Sequence, residues 1–201
     1  EVQFGHVVRP THRNTLFERQ RFEWPAQKWA DLSDRDFGIA LLNDCKYGYD
    51  FLDGVLRLSL LRAPVAPDPL CDRGEHQFTY SLLAHGAFAE GDTIRAAYDL
   101  NVPPLVVPGR CAEGRMGFLA VSNPAVVVET VKRSEDGRGT IVRLYEALGG
   151  KARTAVALPT GAREAQQCDM LERPERKLRL RRDGSVMLEF RPFEIKTVRF
   201  E

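Results

Sequence analysis

Short runs of alternating hydrophobic and polar residues dominate this chain, and they predict strands far more often than helices. Leu56, Leu58 and Leu60 alternate with Arg57 and Ser59, the period of a half-buried strand. Residues 37–43 (FGIALLN) form one continuous apolar run, short and glycine-containing, which reads as a buried strand. Gly48 and the Asp53-Gly54 step predict a hairpin leading into residues 55–61, since Asp-Gly supplies the positive φ angles of a tight strand-to-strand turn. Residues 78–85 give the next strand. Residues 92–100 (DTIRAAYDL) fit a helix with Asp92 as N-cap, although Ile94, Ala96 and Tyr98 also alternate as a strand would.

The first twenty or so residues carry turn signals at Pro10, Thr11, His12, Arg13 and Asn14, and residues 33–36 (SDRD) read as a turn after Trp29, Ala30, Asp31 and Leu32. Pro103, Pro104, Pro108 and Gly109 interrupt the pattern, which places a domain boundary between residues 103 and 115. Beyond it, strand candidates fall at residues 118–121, 126–133, 140–147, 154–158, 165–171, 178–180, 185–190 and 195–200. Turn signals at Glu135-Asp136-Gly137, Gly149-Gly150, Pro159 to Gly161 and Asp183-Gly184 separate them. The expected fold class is therefore all-β: residues 1–108 as part of a large β-sandwich and residues 115–201 as a smaller C-terminal β-sandwich.

The chain has 201 residues, enough to bury a stable core, and a formal net charge of +1. Balanced charge gives no electrostatic case for nucleic acid or an anionic membrane. No apolar stretch approaches the roughly 20 residues that span a bilayer. Cys45, Cys71, Cys111 and Cys168 are scattered without a CxxC pair, which argues for free thiols and a cytoplasmic setting and against a structural zinc site. His6, His12, His76 and His85 show no helical i,i+4 pairing, so no metal site is expected in this chain. Phosphate-cradling loops and serine-nucleophile motifs are absent.

Chemistry concentrates between residues 41 and 80. Pro64, Pro67 and Pro69 cannot donate to a sheet ladder and force a loop carrying Arg62, Asp68, Asp72, Arg73, Glu75 and His76. Asn43, Asp44, Lys46 and Tyr47 follow the buried run directly. Amide, carboxylate and ammonium groups hydrogen-bond vicinal hydroxyls and a tyrosine ring can cover a pyranose face, so these four are candidates for the rim of a sugar cleft. The plainer reading is a charged turn in which Asp44 bonds its own backbone, beside a loop locked by its own salt bridges. Trp24, Trp29, Tyr47 or Tyr49 exposed in a row would instead favour an independent carbohydrate-binding or protein-interaction module.

FGHVVRPTHRNT, LLNDCKYGYD, LSLLRAPVAPD, CDRGEHQFTY, SNPAVVVETVKRSEDGRGTIVRLYEALGG, CDMLERPE and RPFEIKTVRF, in this order, resemble the C-terminal region of glycoside hydrolase family 38 α-mannosidases, cytosolic and vacuolar branch. The resemblance implies a retaining hydrolase of α-linked mannose whose nucleophile and divalent metal, usually zinc, belong to an N-terminal catalytic domain. No segment here matches that domain, so the chain is expected to be a portion of a longer enzyme and inactive alone. Its implied partners are that catalytic domain and an oligosaccharide. Asn43, Asp44, Lys46, Tyr47, Arg62, Asp68, Asp72 and His76 become candidate cleft-wall residues, with none catalytic. Unpaired edge strands would leave a homo-oligomer open.

Overall fold

A computed structural model of the chain describes residues 1–86, 90–109, 114, 117–158 and 161–201. It consists of two compact units: Glu1–Gln3 with Val7–Val106, and Phe4–His6 with Val107–Glu201. Cys111, the Pro159 part of a turn and much of the expected boundary at residues 110–115 lie outside the described residues.

The first unit contains α1 (Leu16–Gln20), β1 (Glu23–Pro25), β2 (Trp29–Ser33), β3 (Gly38–Asn43), β4 (Gly48–Leu52), β5 (Val55–Leu58), β6 (Tyr80–His85) and α2 (Glu90–Asn101). The strands form two antiparallel sheets, β2-β3-β6 and β1-β4-β5. Leu52 pairs with Val55 across Asp53-Gly54, whose φ angles of 51° and 73° are those of the expected two-residue hairpin. Ala30 and Leu41 from one sheet meet Tyr49 from the other, with Phe51, Leu56 and Leu58 packed around them, and this is the unit's core. Successive side chains on a strand point to opposite faces, so Ala40 and Leu42 point away from that core. They are nevertheless buried, and α2 lies against β3 and β2 with Thr93, Ile94 and Ala97 buried.

The second unit contains β7 (Ala120–Val121), β8 (Val126–Arg133), β9 (Thr140–Glu146), β10 (Ala152–Ala157), β11 (Ala165–Cys168), β12 (Pro174–Leu178), β13 (Val186–Phe190) and β14 (Ile195–Phe200). They build a five-stranded sheet, β12-β11-β14-β9-β8, and a three-stranded sheet, β13-β10-β7. Val142, Leu144, Val198 and Phe200 of the first sheet share one apolar cluster with Val156, Val186, Leu188 and Phe190 of the second. That shared cluster defines a two-layer β-sandwich. Glu146 ends β9 with only 1% of its surface exposed, and its carboxylate accepts N–H bonds from Leu148, Gly149, Gly150 and Phe193 at 2.8–3.1 Å. A buried charge is tolerated there because every donor of the Gly149-Gly150 turn points at it.

Several local expectations need correction. Residues 29–33 form a strand rather than the lead-in to a turn: Trp29 and Ala30 are adjacent and both buried, which hides the alternation. The turn-rich opening contains α1, nucleated by a capping box in which Thr15 and Glu18 satisfy each other's main-chain N–H groups. Asp92 lies inside α2, which starts at Glu90, so it is not the N-cap. The strand expected at residues 55–61 stops at Leu58. The one expected at 178–180 is instead Pro174–Leu178, with Leu180 bridging to Val186.

Candidate functional site

Asn43 is the last residue of β3, and its side chain builds the turn that follows. Nδ2 donates to the Gln27 carbonyl at 2.9 Å and to the Tyr49 hydroxyl, while Oδ1 accepts from the N–H groups of Cys45 at 3.0 Å and of Lys46. Asn43 is 1% exposed, and its main-chain oxygen takes a further bond from Asn101 at the end of α2. The turn is thus held chiefly by Asn43, with a smaller contribution from Asp44 bonding its own backbone, the bond that the plainer sequence reading expected. Asp44 also reaches outward from the turn: its Oδ2 accepts the Thr79 N–H at 2.9 Å, and its own N–H donates to the Thr79 carbonyl at 3.2 Å. The Cys45 thiol and the Thr79 N–H hold the Asp44 carboxyl below its ordinary pKa, so it is a carboxylate at neutral pH. Lys46 Nζ lies 4.9 Å from the centre of the Phe78 ring, and Tyr47 is 61% exposed.

The proline loop joins β5 to β6, and both of its ends are tied to this turn. At one end the Ser59 N–H donates to the Gly48 carbonyl at 2.9 Å; at the other, Thr79 pairs with Asp44 as above. Within the loop Asp72 takes a positive φ of 60° and its carboxylate accepts from Ala63 N–H at 2.8 Å and Arg62 N–H at 3.3 Å. These bonds lower its pKa, the Ala63 N–H most. His76 Nε2 donates to the Asp72 carbonyl at 2.8 Å, and Asp68 Oδ1 accepts from Leu70 N–H at 2.9 Å. Gly74, at φ 123°, occupies a conformation that costs other residues dearly. The loop's shape therefore rests on carboxylate-to-backbone bonds rather than on the salt bridges expected among its charged side chains. Arg62, Arg73, Glu75 and His76 are exposed.

Gln27, Lys28 and Asn101 join the turn residues around a cavity of about 140 Å3. None of these three was singled out in the sequence: Gln27 and Lys28 lie in the short β1–β2 connection and Asn101 ends α2, and the Asn that ends the α2 pattern was the one available signal. Of the aromatic residues considered for a binding platform, Trp29 is 4% exposed and Tyr49 0%, whereas Tyr47 is exposed and Trp24 half-buried. Among the described residues, no group of three or more His, Cys, Asp or Glu is placed to hold a metal ion. The donor set for the divalent metal implied by the family resemblance is therefore not found there.

Two antiparallel β units, the second a closed sandwich and the first presenting a proline loop on an asparagine-built turn, define a class of β module. Residues 1–70 match the glycosyl hydrolases family 38 C-terminal domain, and residues 125–198 match that family's C-terminal beta sandwich domain. The chain belongs to the C-terminal region of glycosyl hydrolases family 38. It is 47% identical over 202 residues to alpha-mannosidase 2C1 of Homo sapiens, covering 97% of this chain and 19% of that protein. It is 41% identical over 210 residues to alpha-mannosidase G of Dictyostelium discoideum, again covering 19% of that protein. A crystal structure of an alpha-mannosidase from Enterococcus faecalis V583 shares the fold, with a TM-score of 0.76 over 98% of this chain and 23% of that one, at 24% identity. The chain thus spans about a fifth of the length of the curated relatives it matches.

Proposed function

We propose that this chain works as the C-terminal β portion of an α-mannosidase, a retaining glycosidase that removes α-linked mannose from oligosaccharides in the cytoplasm. The observation that carries this reading is the similarity along almost the whole chain, at 47% and 41% identity, to two proteins named as alpha-mannosidases. In this role the chain supports a catalytic domain and lends it part of a sugar-cleft wall. The nucleophile and the divalent metal, zinc in this reading, belong to that catalytic domain, which is also the chain's principal partner.

The wall is proposed to be the turn at Asn43, Asp44, Lys46 and Tyr47 together with the loop bearing Arg62, Asp68, Asp72 and His76. Within it the residues divide by task. Asn43, Asp68 and Asp72 bond the main chain around them and so shape the wall. Tyr47, Arg62 and His76 keep exposed surface that can meet sugar hydroxyls or a pyranose face. Shaping a wall preorganises contacts made in the transition state, which raises kcat/KM without touching the reacting bond.

The test uses the longer polypeptide that contains this chain. Tyr47→Ala and His76→Ala should each lower kcat/KM for an aryl α-mannoside by about tenfold, the equivalent of about 1.4 kcal/mol of transition-state stabilisation, with metal content unchanged. Unchanged kinetics with a lowered melting temperature would make these residues purely structural and remove the cleft-wall role.

A further inference from the structure

The RPTHRNT stretch plays no part in the cleft reading, yet it builds a second concave feature of the first unit. Residues 8–13, α1 and β1 enclose a cavity of about 170 Å3 whose wall includes Arg9, Arg13, Phe17, Arg21 and Trp24. The Arg9 guanidinium carbon lies 4.7 Å from the centre of the Trp24 ring system; that of Arg21 lies 3.9 Å from the centre of Phe17 and 5.9 Å from Trp24. A guanidinium held over an aromatic face is fixed by the ring's electrostatics while its in-plane N–H groups stay available to donate.

The neighbouring charges leave those donors uncompensated. Arg13 is engaged: its Nη2 donates to Asp50 at 2.8 Å and to the Phe22 carbonyl at 3.3 Å. Glu18, the acidic residue of the wall, is occupied by the start of α1. Its Oε2 accepts the N–H groups of Asn14 and Thr15 at 2.8 and 2.9 Å, and its Oε1 faces His12 Nδ1 at 3.1 Å. Among the described residues no carboxylate lies within ion-pair distance of Arg9 or Arg21.

We propose that this cavity binds a phosphate-type oxyanion, free or as the terminal group of a phosphomonoester, through the guanidinium groups of Arg9 and Arg21. Two guanidinium forks carried on different aromatic faces suit a tetrahedral anion with several oxygen edges better than a carboxylate with one. The cavity is smaller than the roughly 300–1,000 Å3 of pockets that enclose drug-sized molecules, which fits an anionic group with the remainder of a ligand outside. This site is separate from the candidate sugar cleft and does not depend on the mannosidase reading.

Titration calorimetry of the 201-residue chain at low salt, with inorganic phosphate and with phenyl phosphate as probes, tests the proposal. At least one probe should bind saturably and shift the emission of Trp24, and the binding should weaken as salt rises. Arg9→Gln and Arg21→Gln should each weaken it at least tenfold, while Arg57→Gln, outside the cavity and paired with Asp50, should not. Arg9→Lys keeps the charge but loses the fork, and should also weaken binding in a chain that is certain to retain the cation. Tighter binding of phenyl phosphate would identify a phosphomonoester as the ligand; equal binding would identify free phosphate. Absence of saturable binding with both probes, or binding unaltered in both Gln variants whose circular dichroism matches the parent chain, would overturn the proposal.

Discussion

Asn43→Ala should destabilise the first unit by about 3 kcal/mol, and the size of that loss follows from where its four side-chain hydrogen bonds go. Two partners are interior: the Gln27 carbonyl and the hydroxyl of Tyr49, a residue with 0% exposure. Stripping a donor from a buried polar group costs about 1–3 kcal/mol, and the Tyr49 hydroxyl keeps a long 3.4 Å contact to the Gln27 carbonyl that holds the total toward the lower end. The other two partners, the N–H groups of Cys45 and Lys46, belong to a solvent-facing turn and recover water, at well under about 1 kcal/mol each. Asn43→Asp makes the test sharper. It keeps Oδ1 but sets a carboxylate oxygen against the Gln27 carbonyl, so the variant should be weak at neutral pH. Burial raises the pKa of the new carboxyl, so stability should return as pH falls and the protonated acid again donates. The assay is urea unfolding followed by tryptophan emission. Both tryptophans, Trp24 and Trp29, lie in the first unit, so the signal reports on that unit alone. A loss below about 0.5 kcal/mol for Asn43→Ala would refute the reasoning and return Asn43 to the set of groups free to meet a ligand.

Other outcomes follow from the same contacts. Glu146→Ala should cost the second unit about 1–2 kcal/mol, since it removes the shared acceptor of the Leu148, Gly149, Gly150 and Phe193 N–H groups, which lie at a solvent-facing turn and recover part of the loss from water. Circular dichroism should show that loss while the tryptophan-detected transition stays put, and a shift in the tryptophan signal would contradict it. His85 Nε2 lies 2.7 Å from Asp31 Oδ2 and its Nδ1 lies 2.9 Å from the Gly86 carbonyl, so both ring nitrogens face acceptors. Burial opposes the imidazolium, but the bonds to Asp31 and Gly86 and the Asp31 charge outweigh it and raise the His85 pKa above 6.5. That contribution to stability is fully present below pH ~6.5 and is lost as pH rises through the higher folded-state value, so His85→Gln should flatten the pH dependence of the first unit's midpoint. Gly38→Ala should destabilise the same unit, because the added methyl would sit 2.4 Å from the His85 ring and 2.5 Å from Ser33 Cβ; a melting temperature equal to the parent's would show that the pair can move aside.

Strands with a clean period of two were legible in the sequence because one face packs on a core and the other meets water. β8 and β13 alternate in this way, whereas β9 and β14 are buried on both faces over most of their length and were marked by the turn signals on either side; all four fall almost where the sequence predicts them. The Asp53-Gly54 hairpin was legible for a local reason, since few dipeptides tolerate two positive φ angles in succession. β2 was hidden because Trp29 and Ala30 are both buried, on opposite faces of a strand that is covered twice near its start. α1 was hidden because it is five residues long and has no buried residue, so only its Thr15–Glu18 cap distinguishes it. At the candidate site the chain pattern marked the polar turn and the proline loop. It did not reveal that Asn43 faces inward or that Thr79, Gln27 and Asn101 complete the surroundings. Those contacts join residues 16 to 58 positions apart, a separation that only the tertiary fold closes.

We propose that this chain lends shape and wall to a mannosidase without performing its chemistry, and one pair of rate measurements tests this directly. Hydrolysis of an aryl α-mannoside, with zinc or cobalt and without, should be measured for this 201-residue chain and for the longer polypeptide containing it. Turnover by the longer polypeptide, together with a rate for the 201-residue chain no higher than buffer, is the predicted result. Clear turnover by the 201-residue chain, lost in Asp68→Asn or Asp72→Asn, would contradict it.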